Sequence, residues 1–209
     1  MLIYGSLGKT RGLCNAIFNW TLWEWLLPNT DNVLTRGRAE LTVATCLGLA
    51  AAIGFILIFW VVSGSLEQIA TVFAGLVLVL IFGGLGALAR SGRATAALWA
   101  LVGLLLALVT LNLVGYSIAS TTSAAYVLPI LLAACGLGLK AGLGVAGVSA
   151  ACAWGLAWGE VAGWLPVSTP PDISRLTFDA PALTVIFVLA ALIAGVWSQR
   201  WIGLSVKKR

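Results

Sequence analysis

The sequence predicts an all-α protein: a polytopic transmembrane helix bundle of six spans, both termini cytoplasmic, with an N-terminal interfacial helix. Three observations carry this. The 209 residues are 61% hydrophobic and only 9% charged, where a soluble domain carries roughly 25% charged residues. The apolar residues fall in runs near the roughly 20 that a helix needs to cross about 30 Å of hydrocarbon. The basic residues gather at one side of those runs. The expected organisation is a cytoplasmic segment over 1–38, a six-span domain over 39–200 and a basic tail over 201–209.

The segment Leu13–Leu27 holds Asn15, Asn19 and Glu24 and is too polar for the apolar stretch of a signal peptide. Trp20, Trp23 and Trp25 precede Pro28. Tryptophan favours the headgroup level, where the ring stays apolar and the N–H meets water. This segment therefore reads as a helix lying on the cytoplasmic membrane surface.

Arg36 and Arg38 precede span 1, about 41–62, and Glu67 and Gln68 lie in the short turn to span 2, about 69–88. Arg90 and Arg93 mark an inner loop before span 3, about 96–116. A polar turn over 117–123 leads to span 4, about 124–139, which contains Pro129. Lys140 marks the next inner turn, before span 5 at about 143–164. An outer loop, 165–180, carries Pro166, Pro170 and Pro171, and span 6 occupies about 181–197. Lys9, Arg11, Arg36, Arg38, Arg90, Arg93, Lys140, Arg200, Lys207, Lys208 and Arg209 fall inside, and only Arg175 falls outside. That asymmetry sets the orientation. The net charge of +5 is thus a topology signal, and no nucleic-acid partner is expected.

The same residues argue against most chemistries. There is no histidine, which removes the commonest general base and metal ligand. Cys14, Cys46, Cys135 and Cys152 show no C-x-x-C spacing, so neither a zinc site nor a disulfide framework is expected. No Asp, Glu, Lys or Arg sits at the centre of a span, where ion coupling and proton relays usually place one. No catalytic residue is expected, and the chain does not read as an enzyme.

Three features of the spans carry functional expectations. In span 5, Gly147, Ala151, Gly155, Gly159 and Gly163 recur every four residues as a gently winding stripe with almost no side chain. Small residues are how helices approach closely in lipid. The groove suits packing against spans 4 or 6, or a helix of a partner protein. Trp154 and Trp158 project from another face of span 5, either filling space or lining a site for a carotenoid, quinone or lipid tail. Near the outer ends, Asn112, Tyr116, Tyr126 and Glu160 gather with Thr110 and Ser117, either as interhelical hydrogen bonds or as a shallow outward-facing site.

The stretch from Thr121 through Gly136-Leu137-Gly138-Leu139-Lys140-Ala141 to Trp164-Leu165-Pro166, with the basic turn before span 1, resembles the multi-helix membrane input domains of bacterial sensor histidine kinases. Such a resemblance implies a membrane module without its own kinase, since no phosphoacceptor histidine is present. Three functions are expected in turn. The first is a non-catalytic membrane subunit of a larger, energy-transducing type of complex in the bacterial plasma membrane, contacting lipid, quinone or carotenoid. The second is a sensory input module acting with a separate partner. The third is a six-helix substrate-binding component of a small-solute importer.

Overall fold

The computed structural model describes residues 33–62, 69–118, 120–165, 173 and 175–206. The expected interfacial helix with Trp20, Trp23 and Trp25, and the basic end Lys207–Arg209, lie outside these residues. Among the described residues six α-helices follow one another: α1 (Val33–Val62), α2 (Ile69–Leu88), α3 (Ala94–Tyr116), α4 (Val127–Gly136), α5 (Leu139–Val161) and α6 (Ala180–Val206). No strand occurs among the described residues. Among the described residues four helical stretches are long and apolar enough to cross a membrane: Thr35–Phe59, Val72–Gly115, Leu139–Val161 and Leu176–Ser198. The second takes in both α2 and α3. In lipid a helix is the form that satisfies every backbone N–H and C=O within its own segment.

Close contacts set the directions of the helices. Gly75 lies against Leu57 and Gly86 against Cys46, so α1 and α2 run antiparallel. Arg38 of α1 reaches both Thr95 at the start of α3 and Gly136 at the end of α4. Thr110 meets Tyr126, which makes α3 antiparallel to the segment leading into α4. Gly142 packs on Ala134, and Gly195 on Leu139, so α4, α5 and α6 alternate as well. The result is an up-and-down bundle. One end carries Arg38, the α2–α3 turn and the α4–α5 turn. The opposite end carries Ser117, Tyr126 and Glu160.

The turns at the basic end are tight. Ala89–Arg93 winds as a π-type turn and reverses at Gly92, where φ is 88°. Gly138, φ 101°, ends the two-residue link between α4 and α5, and its C=O accepts the Gly142 N–H at 3.0 Å. Side chains with a Cβ rarely take such angles, so glycine lets the chain turn here without a strained loop.

The helices differ from the expected spans at their ends. Rather than ending before span 1, the basic turn is part of α1: Arg36 Nε donates to Glu40 Oε1 at 3.2 Å one turn on, and no breaker intervenes. Lys140 lies in the first turn of α5, because Gly138 already starts that helix. Helix α6 begins at Ala180 and runs to Val206, past the expected end near Trp197. Span 4 is the most altered. Its α-helical part has only 10 residues and its entry, Thr121–Tyr126, is a 3₁₀ helix of 6 residues. The 3₁₀ form rises about 2.0 Å per residue against about 1.5 Å, so the combined segment reaches about 27 Å. The 3₁₀ winding adds only about 3 Å, so this segment stays shorter than α3 and α5, which reach about 34 Å. Pro129 sits in the first turn of α4, just past the change from 3₁₀ to α winding.

Helix α4 is the hub, packing on α3, α5 and α6 and burying Pro129, Ile130, Leu132, Ala133 and Ala134. Leu98, Leu101, Leu113, Ile118, Tyr126 and Phe187 fill the core around it. The outside is apolar too. Phe55, Phe59, Phe73, Leu80, Val185 and Ile193 are all exposed. A bundle apolar on both its inner and outer surfaces is suited to hydrocarbon.

Candidate functional site

Helix α5 has two faces of different character. The inward face consists of Gly142, Val145, Ala146, Ser149, Ala153, Leu156, Ala157 and Glu160. These positions follow the three-and-four spacing that keeps side chains on one side of a helix. Most are small, so α4 and α6 approach closely. A Cβ built on Gly142 would lie 2.6 Å from Ala134 Cβ and 2.8 Å from its Cα. The Ser149 hydroxyl is fully buried on this face and has no hydrogen-bond partner among the described residues.

The four-residue stripe does not supply this packing. Gly147, Ala151 and Gly155 are exposed. Nothing lies within 4 Å of a Cβ built on Gly147 or Gly155. Each four-residue step overshoots a full turn by about 40° at 3.6 residues per turn, so the row rotates out of any single groove. By Gly159 it has reached the buried side, where a Cβ would meet Leu165 at 3.2 Å. Gly163 has left the helix. It takes φ 72° and forms a Schellman cap: Trp164 N–H donates to Gly159 C=O at 2.9 Å, and Gly163 N–H to Glu160 C=O at 3.1 Å. The sequence stripe thus divides into an open outer patch, one packing residue and one cap.

Trp154 and Trp158 stand on the outer surface beside that patch, 42% and 59% exposed, so neither lines an internal cavity. Trp154 Nε1–H donates to Thr184 Oγ1 of α6 at 3.1 Å. A tryptophan N–H facing hydrocarbon needs a partner, and Thr184 provides one. Thr184 Oγ1–H in turn donates to Ala180 C=O at 2.8 Å. The pair closes the seam between α5 and α6 from outside.

The expected outer polar cluster splits. Glu160 is 2% exposed. Its Oε1 accepts the Ile118 N–H at 2.7 Å and its Oε2 accepts the Ser117 Oγ–H at 3.0 Å. Ser117 has φ 78° and ψ 150°, a backbone region favouring glycine. The carboxylate therefore holds a strained corner where the chain leaves α3. Tyr126 is fully buried; its hydroxyl lies 2.7 Å from Thr110 Oγ1, and its ring meets Phe187 edge-on at 5.5 Å. Asn112 is exposed on α3 and joins neither group. The Tyr116 side chain lies outside the described residues. Tyr126 and Glu160 are interhelical ties and not the floor of an open site.

Sequence reasoning singled out Glu160 and Tyr126 and grouped them with Thr110 and Ser117, but missed the Ile118 N–H that Glu160 accepts. It also missed the inward row Gly142, Ala146, Ser149, Ala153 and Ala157, for which the three-and-four spacing was the available signal. At the basic end it missed Arg38, whose Nε–H donates to Gly136 C=O at 2.9 Å and Nη1–H to Thr95 Oγ1 at 3.2 Å. A guanidinium on the last carbonyl of α4 also complements the negative end of that helix dipole. Cys46, Cys135 and Cys152 are free thiols on helices, and Cys14 lies outside the described residues. Comparison with protein-family models, curated proteins and solved structures gives no match, so the likeness to sensor-kinase input domains stands on the residues quoted for it alone.

Proposed function

We propose that this chain is a non-catalytic integral membrane subunit that packs against other membrane proteins of a larger complex, of the energy-transducing kind, in a bacterial plasma membrane. In this reading all six helices cross the bilayer, both termini are cytoplasmic, and lipid, quinone or carotenoid lies against the exposed tryptophans. The observation that carries it is the outer face of α5. Gly147, Ala151 and Gly155 leave open space there beside Trp154 and Trp158, while the opposite face carries the buried residues of the helix. Small residues facing away from their own bundle let a second helix approach to close range. Dispersion and Cα–H···O contacts then supply the association that water cannot drive in lipid. The importer reading needs a ligand-facing polar cluster, and Tyr126 and Glu160 are taken up in buried bonds. No contact among the described residues favours the sensory reading.

Purification from native membranes tests this. The wild-type chain is expected to emerge with integral partners, and Gly147→Leu with Gly155→Leu to emerge without them, at an unchanged melting temperature of the isolated chain. Recovery of the wild type as a free monomer overturns the reading. Reporter fusions at Lys140 and Arg175 are expected in opposite compartments, and a shared compartment overturns the six-span topology.

A further inference from the structure

The end of the bundle that holds the tight turns is strongly basic. Arg36, Arg38, Arg90, Arg93 and Lys140 belong to it, and the one described acid there, Glu40, is ion-paired with Arg36. Arg38 organises this end. Through Thr95 and Gly136 it ties the turn carrying Arg93 to the turn carrying Lys140. Arg93 and Lys140 are both exposed and form no ion pair among the described residues. Directly toward the hydrocarbon the same two helices expose apolar side chains. Trp99 of α3 is 48% exposed and Leu143 of α5 is 38% exposed. They lie about 9 Å and 4.5 Å along the helices from Arg93 and Lys140, at about 1.5 Å per residue.

Exposed cations one to two helical turns above exposed apolar side chains suit one kind of molecule, an anionic amphiphile. We propose that the Arg93 and Lys140 turns, held together by Arg38, form a docking surface for the headgroup of an anionic phospholipid whose acyl chains run down the α3 and α5 surfaces. A phosphodiester accepts hydrogen bonds from both side chains, and its charge offsets theirs. A free phosphate makes no use of Trp99 and Leu143, which is why the lipid is the occupant. The inference rests on the membrane-embedded part of the functional reading and is independent of what covers α5. Failure of that part shows separately, as a chain soluble without detergent.

The test uses the full chain in neutral detergent, titrated with phosphatidylglycerol, with phosphatidylcholine of the same acyl chains, or with inorganic phosphate. Melting temperature and bound lipid in native mass spectra are the readouts. Phosphatidylglycerol is expected to bind and to raise the melting temperature saturably, and the other two are not. Arg93→Ala with Lys140→Ala is expected to raise the half-saturating concentration about 25-fold, from roughly fivefold per charge. Arg93→Lys with Lys140→Arg is expected to keep it, and high salt to weaken binding. Should the alanine pair fail to fold, Arg93→Gln with Lys140→Gln carries the same comparison. Equal response to the two lipids overturns the proposal, as does a phosphate response equal to that of the lipid. So does a folded, charge-depleted variant with wild-type half-saturation.

Discussion

The same substitution at two glycines five residues apart on α5 is expected to have opposite effects. At Gly142 a new Cβ meets Ala134 at 2.6 Å from its Cβ, 2.8 Å from its Cα and 3.2 Å from its N. Ordinary carbon contacts lie at about 3.5–4.0 Å, so α4 and α5 must part by about 1 Å. The obstacle is largely backbone, which has no rotamer to change. The two-residue link Leu137–Gly138 leaves little room to open the helices at this end. Overpacking of this kind costs about 1–3 kcal/mol, partly offset by up to about 1 kcal/mol of helix propensity. Gly142→Ala is therefore expected to lower the melting temperature in detergent by several degrees, at about 2–4 °C per kcal/mol for a chain of this size. Gly147→Ala meets nothing within 4 Å and is expected to leave the melting temperature unchanged or slightly raised. Equal losses at both positions would refute the assigned rotation of α5, and with it the outward stripe on which the functional reading depends.

At Ser117 the usual order of substitution is expected to invert. Ser117→Gly loses the hydroxyl bond to Glu160 but relieves a backbone conformation costing about 1–3 kcal/mol, whereas Ser117→Ala loses the bond and keeps the strain. Thermal melts are expected to rank Gly above Ala, and the reverse order would remove the case for strain at this corner. Tyr126→Phe is expected to cost about 0.6 kcal/mol, a typical worth for an interhelical hydrogen bond within a membrane. Adding Thr110→Val is expected to cost little more, so a double-mutant cycle in which the two effects add in full would show that the bond contributes nothing.

The helices were legible because their cause lies in composition. Hydrocarbon demands apolar runs of a set length, and α1, α2, α3, α5 and α6 each contain one. Their ends were less legible, since a helix continues into water wherever its residues permit. Arg36 and Glu40 permit it, and so does the run from Trp197 to Val206. The rotation of α5 was not legible from its glycines. Gly142, Gly147 and Gly155 are chemically identical, and only their neighbours divide them into packed and open. Glu160 could be recognised as unusual from its position near a span end. Ser117 could be grouped with it, but that it grips Ile118 N–H could not be foreseen, because the pairing depends on how α3 ends against α5, across 42 residues of chain.

The placement of the short connections has a mechanical corollary. Ala89–Arg93 and Leu137–Gly138 tether two helix pairs at one end with almost no slack, while longer stretches, such as residues 162–179, join helices at the other. Relative tilting of the rods must then swing about the tethered end as a fulcrum. A 10° swing over a rod about 30 Å long moves its far tip by about 5 Å. The Glu160 bonds sit at that far tip, where leverage is greatest, and act as the clasp of a peg hinged at its opposite end.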